Sequence, residues 1–219
     1  MRRIAATLVA ALLAAPLAAA GQAKAGTTRT EKDLLGEKQI PAEAYYGVQT
    51  ARALENFRIS GTTLRDYPEL VKALALVKLA AARANADVGG LARAKLEPIE
   101  KACRAIMEGK HHDQFQVDMY QGGAGTSTNM NANEVIANLA LEFLGLPRGR
   151  YDKIEPHDDL NMSQSTNDFY PTALKVAIIL HNQNLPPDVE QQAASFRATG
   201  AELADVSKVG RTVTQGGVA

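Results

Sequence analysis

The 219-residue chain carries 24 basic and 24 acidic side chains, a balance that offers no electrostatic footprint for nucleic acid or for an acidic surface. It is long enough for one domain with a real core, or for one domain and part of another. Tryptophan is absent, aromatic residues are scarce and alanine is abundant, which favours helices over a β-sandwich.

The chain opens on Met1-Arg2-Arg3, a basic start, followed by an apolar run over residues 4–20. Pro16 interrupts that run, which falls short of the roughly 20 residues a membrane-spanning helix needs. Ala18-Ala19-Ala20 and Ala23-Lys24-Ala25 supply the small residues that signal peptidase requires. Residues 1–25 are therefore expected to be a cleaved export signal, with cleavage after Ala20 or Ala25. The mature chain is expected in a bacterial periplasm, with no membrane attachment.

Residues 27–66 are expected to form an arm with little regular structure, in which Ile40 to Gly47 make a short extended or turn segment. The first strong helix is predicted over 68–88. Leu70, Val71, Leu74, Val77, Ala81, Ala84 and Val88 form its stripe, Pro68 its first turn and Gly89-Gly90 its stop. A second helix is predicted from Pro98 to Gly109, with Ile99, Cys103, Ile106 and Met107 inward. Cys103 is the only cysteine and reads as a small buried apolar residue. His111-His112-Asp113 reads as a polar loop, because adjacent side chains diverge and no third ligand follows at metal-binding spacing. No metal site is predicted.

Residues 121–144 are the most informative stretch. Gly122, Gly123 and Gly125 let the backbone turn tightly and approach a ligand, and Thr126, Ser127, Thr128 and Asn129 offer hydroxyls and amides beside them. From Asn131 the pattern is helical, with Val135, Ile136, Leu139, Phe143 and Leu144 on one face, Asn131 and Glu134 as a capping pair, and Gly145 and Pro147 as the stop. A glycine-rich loop entering a helix exposes free N–H groups and suits an anion, although an ordinary capped helix fits the local pattern equally well. A second polar cluster over 158–168 also precedes a helix, with Pro171 in its first turn and Leu174, Ile178 and Ile179 on one face. One cap needs a single oxygen acceptor, and this cluster supplies several. After Pro186-Pro187 a last amphipathic helix spans 188–207, with Val189, Ala193, Phe196, Gly200 and Leu203 at near-heptad spacing, so the final two helices read as an antiparallel pair in a bundle.

Six segments in order resemble the aspartase/fumarase superfamily, and within it the ammonia-lyase branch. They are Asp33-Leu34-Leu35-Gly36, Ile40 to Val48, Glu55-Asn56-Phe57, Asp113-Gln114-Phe115, Gln121 to Asn131, and Gln164-Ser165-Thr166-Asn167-Asp168. The resemblance implies an all-α fold: a helical N-terminal domain over 26–160 and the first helices of the central helical bundle over 161–219. It implies deamination of L-aspartate to fumarate and ammonia through a doubly charged enediolate. By similarity Thr126, Ser165, Thr166, Asn167 and Thr212 bind the dicarboxylate. No organic cofactor is implied, and full-length members assemble as homotetramers whose active sites draw on three subunits.

The resemblance leaves two other readings open: class II fumarate hydratase, and a non-catalytic remnant or dicarboxylate-binding subunit. The family continues Gly-Arg-Thr with His or Gln, whereas Val213 follows Thr212 here. The family's loop Gly-Ser-Ser-x-x-Pro-x-Lys-x-Asn-Pro, which carries the serine base and a carboxylate-clamping lysine, does not occur in the 219 residues. The chain is accordingly expected to be C-terminally truncated and to lack turnover by itself.

Overall fold

The computed structural model describes residues 27–122, 124–206, 210–211 and 217–218, and the expected export signal lies outside them. Strands Thr28–Asp33 (β1) and Gly36–Pro41 (β2) pair antiparallel, from Thr28 opposite Pro41 to Asp33 opposite Gly36. Helix Val48–Asn56 (α1) follows. The unstructured arm expected over 27–66 is thus corrected to a hairpin and a helix. Neither advertises itself locally: β1 is polar along most of its length, and α1 has no side-chain cap of its own.

The caps of α1 come from far away. Glu31 Oε2 accepts from the Val48 amide at 2.9 Å. Glu134 accepts from the amides of Gly47 (2.9 Å), Gln49 (2.7 Å) and Thr50 (3.0 Å). Two buried carboxylates therefore satisfy the orphan donors at the start of α1. Gly47 is required there, since a Cβ would lie 2.5 Å from Glu31 Oε2 and 2.7 Å from the Tyr151 hydroxyl. Arg29 holds the other side, pairing with Glu31 at 2.8 Å and donating to the carbonyls of Pro41, Ala44 and Tyr46.

Helix Pro68–Asp87 (α2) begins on Pro68 as predicted, and Gly89 in the left-handed region ends it. Its buried face is Leu70, Val71, Leu74, Lys78, Leu79, Ala82, Asn85 and Ala86, rotated from the predicted stripe so that Val88 is exposed. Helix Arg93–Met107 (α3) starts a turn earlier than predicted. Pro98 lies inside it, buried, and forgoes only the bond its missing N–H would have made to Ala94. Cys103 is fully buried, and that burial pushes its thiol up to about 12.

Helix Thr126–Phe143 (α4) runs through the core, buried almost all round from Thr128 to Leu141. It begins at Thr126, not Asn131, with Gly125 as a left-handed N-cap at φ 91°. The predicted Asn131–Glu134 capping pair is corrected accordingly: both residues are interior, and Glu134 caps α1 instead. Val135, Ile136 and Leu139 are buried as expected, while Phe143 and Leu144 are exposed.

Helix Thr166–His181 (α5) packs on α2 and leads through a single 3₁₀ turn, Asn182–Asn184, into helix Leu185–Glu202 (α6). Pro171 is inside α5, not in its first turn. Phe169, Ala173 and Ala177 are buried, and Leu174, Ile178 and Ile179 face outward. The last two helices do not form the expected antiparallel pair. Each borders the 3₁₀ turn, and no described residue of α6 is buried. Gly210–Arg211 (β3) and Gly217–Val218 (β4) pair antiparallel. The all-α class holds, and the larger of two hydrophobic clusters among the described residues runs from Ala53 to Ala177, the smaller joining Ile40, Ala44 and Val48. No helix among the described residues is long and apolar enough to cross a membrane.

Candidate functional site

The N-termini of α4 and α5 meet at one end of the core. A Cβ on Gly125 would lie 2.7 and 2.8 Å from two ring carbons of Tyr170, so only glycine lets the start of α4 lie against that ring. Gln121 folds the preceding loop back over the first turn of α4: its Oε1 accepts from the Thr128 amide at 2.7 Å, and its Nε2 donates to Thr128 Oγ1. Thr126 is thereby exposed as the first residue of a helix, beside the positive end of the helix dipole.

Ser165 is the N-cap of α5. Its Oγ accepts from the Asn167 amide at 3.2 Å, and its carbonyl accepts from the amides of Asp168 (3.0 Å) and Phe169 (2.9 Å). Ser165 and Asn167 are exposed and Thr166 is half-buried. The two sequence clusters are joined by one residue, Asn129. Its Nδ2 donates to Thr166 Oγ1 at 3.0 Å and to Asn161 Oδ1 at 2.8 Å. Thr126, Ser165, Thr166 and Asn167 therefore belong to one polar end of the molecule, whereas Thr212 lies outside the described residues.

Behind this end lies a side chain that the periodicity of α2 did not single out. Lys78 is 1 % exposed and stands four residues from Leu74 and from Ala82 on the buried face. Its Nζ donates to Gln164 Oε1 at 2.9 Å, Asn161 Oδ1 at 3.1 Å and the Leu160 carbonyl at 3.3 Å, and lies 4.0 Å from the centre of the Phe169 ring. Lys78 forms no ion pair among the described residues, and burial pushes its ammonium down to about 7. A lysine inside an apolar stripe was the available signal.

Glu155, His157 and Asp158 bring potential ligand atoms within 4.8 Å of one another. The turn itself accounts for them, because Glu155 accepts from the amides of His157 and Asp158, and Asp158 Oδ1 meets His157 Nδ1 at 3.0 Å. His112 Nε2 bonds to the Ile106 carbonyl at 2.8 Å, and His111 rests edge-on against Tyr45. These contacts tie the loop at 111–112 to α3 and to Tyr45.

Two helix N-termini with hydroxyls between them suit an anion, with Asp158 and Asp168 also lining the pocket beside Ser165. Residues 36–219 match the lyase family. The chain belongs to that family. It is 53% identical over 192 residues to the aspartate ammonia-lyase of Pseudomonas aeruginosa, covering 88% of this chain and 40% of that one. A fumarate lyase:delta crystallin structure from Brucella melitensis is 54% identical with a TM-score of 0.77, over 85% of this chain and 43% of that one. A class II fumarase from Schistosoma mansoni is 34% identical with a TM-score of 0.76, over 85% and 39%. The chain spans about two fifths of the length of the curated lyases it matches.

Proposed function

We propose that this lyase chain forms the dicarboxylate-binding part of an aspartate ammonia-lyase, which eliminates ammonia from L-aspartate to give fumarate. The observation that carries the reading is the junction of α4 and α5, where Asn129 ties Thr166 to the helix that begins at Thr126. Removing the proton beside a carboxylate pushes two electrons onto that carboxylate's oxygens, and the resulting enediolate collapses as ammonia leaves. Neutral donors preorganised around those oxygens stabilise the extra charge without a cation already neutralising the ground state. Thr126, Thr166 and Ser165 would supply hydroxyls, Asn167 an amide, and Thr212 a further hydroxyl by similarity. The serine base and clamping lysine belong to a loop motif that these 219 residues do not contain. The residues named here would supply binding and charge stabilisation.

Identity near 50% to aspartate ammonia-lyases, against 34% to a fumarase, favours deamination over hydration. We place the protein as a homotetramer, in keeping with the family resemblance, and as exported from a bacterial cytoplasm, in keeping with residues 1–25. The test joins this chain to the remaining sequence of the Pseudomonas relative and follows fumarate and ammonia from L-aspartate. Turnover is expected, and Thr166→Val should lower it by roughly two to three powers of ten, the scale of one oxyanion-stabilising donor. Unchanged kinetics would reduce the cluster to helix caps. Hydration of fumarate without ammonia chemistry would identify a fumarase.

A further inference from the structure

Lys78 and the Asn129–Thr166 bond make a continuous chain of hydrogen bonds whose direction is set at one end. We propose that Lys78 is a positioning residue: through Asn161 and Asn129 it orients the Thr166 hydroxyl so that its hydrogen points out to the bound carboxylate. This inference rests on the dicarboxylate reading given above.

The direction follows from the inventory of donors and acceptors. A lysine ammonium donates and accepts nothing. Asn161 must turn Oδ1 toward Lys78, 3.1 Å away, and its Nδ2 then donates to the Gln164 carbonyl at 3.2 Å. Gln164 must likewise turn Oε1 toward Lys78 at 2.9 Å, which leaves its Nε2 for the carbonyls of Leu160 (2.9 Å) and Met162 (3.1 Å). The turn that delivers Ser165 is thus wrapped around one ammonium group.

Asn161 Oδ1 faces Asn129 as well, so Asn129 can meet it only with its NH₂ group, at 2.8 Å. The second hydrogen of that NH₂ goes to Thr166 Oγ1 at 3.0 Å. Thr166 is an acceptor toward the protein interior, and its own O–H is left to donate outward. Flipping Asn129 would set its oxygen against Asn161 Oδ1, lone pair against lone pair. The enforced orientation has a visible cost: Asn129 Oδ1 is buried and has no partner among the described residues. A free amide would turn to relieve that atom, and the chain from Lys78 prevents it.

The test uses the 219-residue chain, ¹⁵N-labelled at asparagine, with fumarate as the probe, below about pH 7 so that Lys78 is an ammonium. In the ligand-free protein the Asn129 side-chain NH₂ should give two resolved, water-protected signals. Lys78→Met, which keeps the volume and removes the donor, should shift both and erase their protection while the thermal midpoint does not fall. Asn129→Asp is the second variant, near-isosteric at a site that already holds a polar group. It replaces the NH₂ by an acceptor, draws the Thr166 hydrogen inward, and should weaken fumarate binding by about tenfold or more, the worth of one hydrogen bond to a charged ligand. Lys78→Met should weaken it to a similar degree. Asn129 signals unchanged in Lys78→Met, or fumarate bound equally well by Asn129→Asp, would overturn the proposal. If the parent chain shows no fumarate-dependent shifts, the dicarboxylate reading fails, and the ligand-free amide signals still decide the orientation.

Discussion

Glu134 and Lys78 are deeply buried ionisable groups that form no ion pair among the described residues, and they place opposite demands on pH. Burial pushes the Glu134 carboxyl up from 4.5 to about 7, against the pull of the α1 amides it accepts from. A raised carboxyl binds its proton more tightly in the folded state. Its contribution is complete below pH 4.5 and is lost as pH rises through about 7. Lys78 is depressed from 10.5 to about 7, so its contribution is complete above 10.5 and lost as pH falls through about 7. Both slopes lead down toward neutrality, and each is at most about 1.4 kcal/mol per pH unit. Glu134→Gln should therefore remove the fall in stability between pH 5 and 7, and Lys78→Met the rise between pH 7 and 10. Chemical denaturation of each variant against the parent, at matched pH, reads these differences directly. A Glu134→Gln difference that is constant across pH 5 to 7 would show that the carboxyl is ionised throughout.

At the scale of elements, the site exists because the starts of α4 and α5 are pressed together at Gly125 and Tyr170. Gly125→Ala adds a Cβ into the ring and forces alanine into the left-handed region at φ 91°. Overpacking of this kind costs about 1–3 kcal/mol, and the backbone term roughly 1–2 more. The variant should lose both stability and dicarboxylate binding. Combining it with Tyr170→Ala should recover the steric part and leave the backbone part, measurable as partial restoration of the unfolding midpoint. A double variant no better than Gly125→Ala would mean that the ring is not what meets the new methyl. The same element logic explains α1, which has no cap of its own and is held by carboxylates from β1 and α4.

For the molecule as a whole, the apolar surface is divided unequally. One cluster from Ala53 to Ala177 takes in α1 to α5, while Leu174, Ile178, Ile179, Leu185, Val189 and Phe196 of α5 and α6 stay exposed. Exposed apolar residues this numerous along consecutive helices are what the proposed tetrameric assembly would bury. Ile178→Glu with Phe196→Glu should lower the sedimenting mass of the chain and raise its solubility, with little change in far-ultraviolet circular dichroism. An unchanged mass distribution would remove this face from the assembly.

The helical class, the start of α2 on Pro68 and the burial of Cys103 were legible in the residues alone. All of these follow from spacing, from proline and glycine, or from contiguous motifs, which act over a few residues. Where α4 begins, what Glu134 caps and which way α5 faces were decided only in the tertiary structure. Asn131 with Glu134 has the spacing of a local cap, but burying the carboxylate beside Gly47 satisfies three amides of another helix at once. Leu174, Ile178 and Ile179 have the periodicity of a core face, yet Ala173 and Ala177 are small enough to let α5 approach α2, and the larger residues turn outward. Lys78 shows the same limit most plainly. Its burial depends on the 160–164 turn, some 80 residues away in the chain, folding its oxygens around the ammonium.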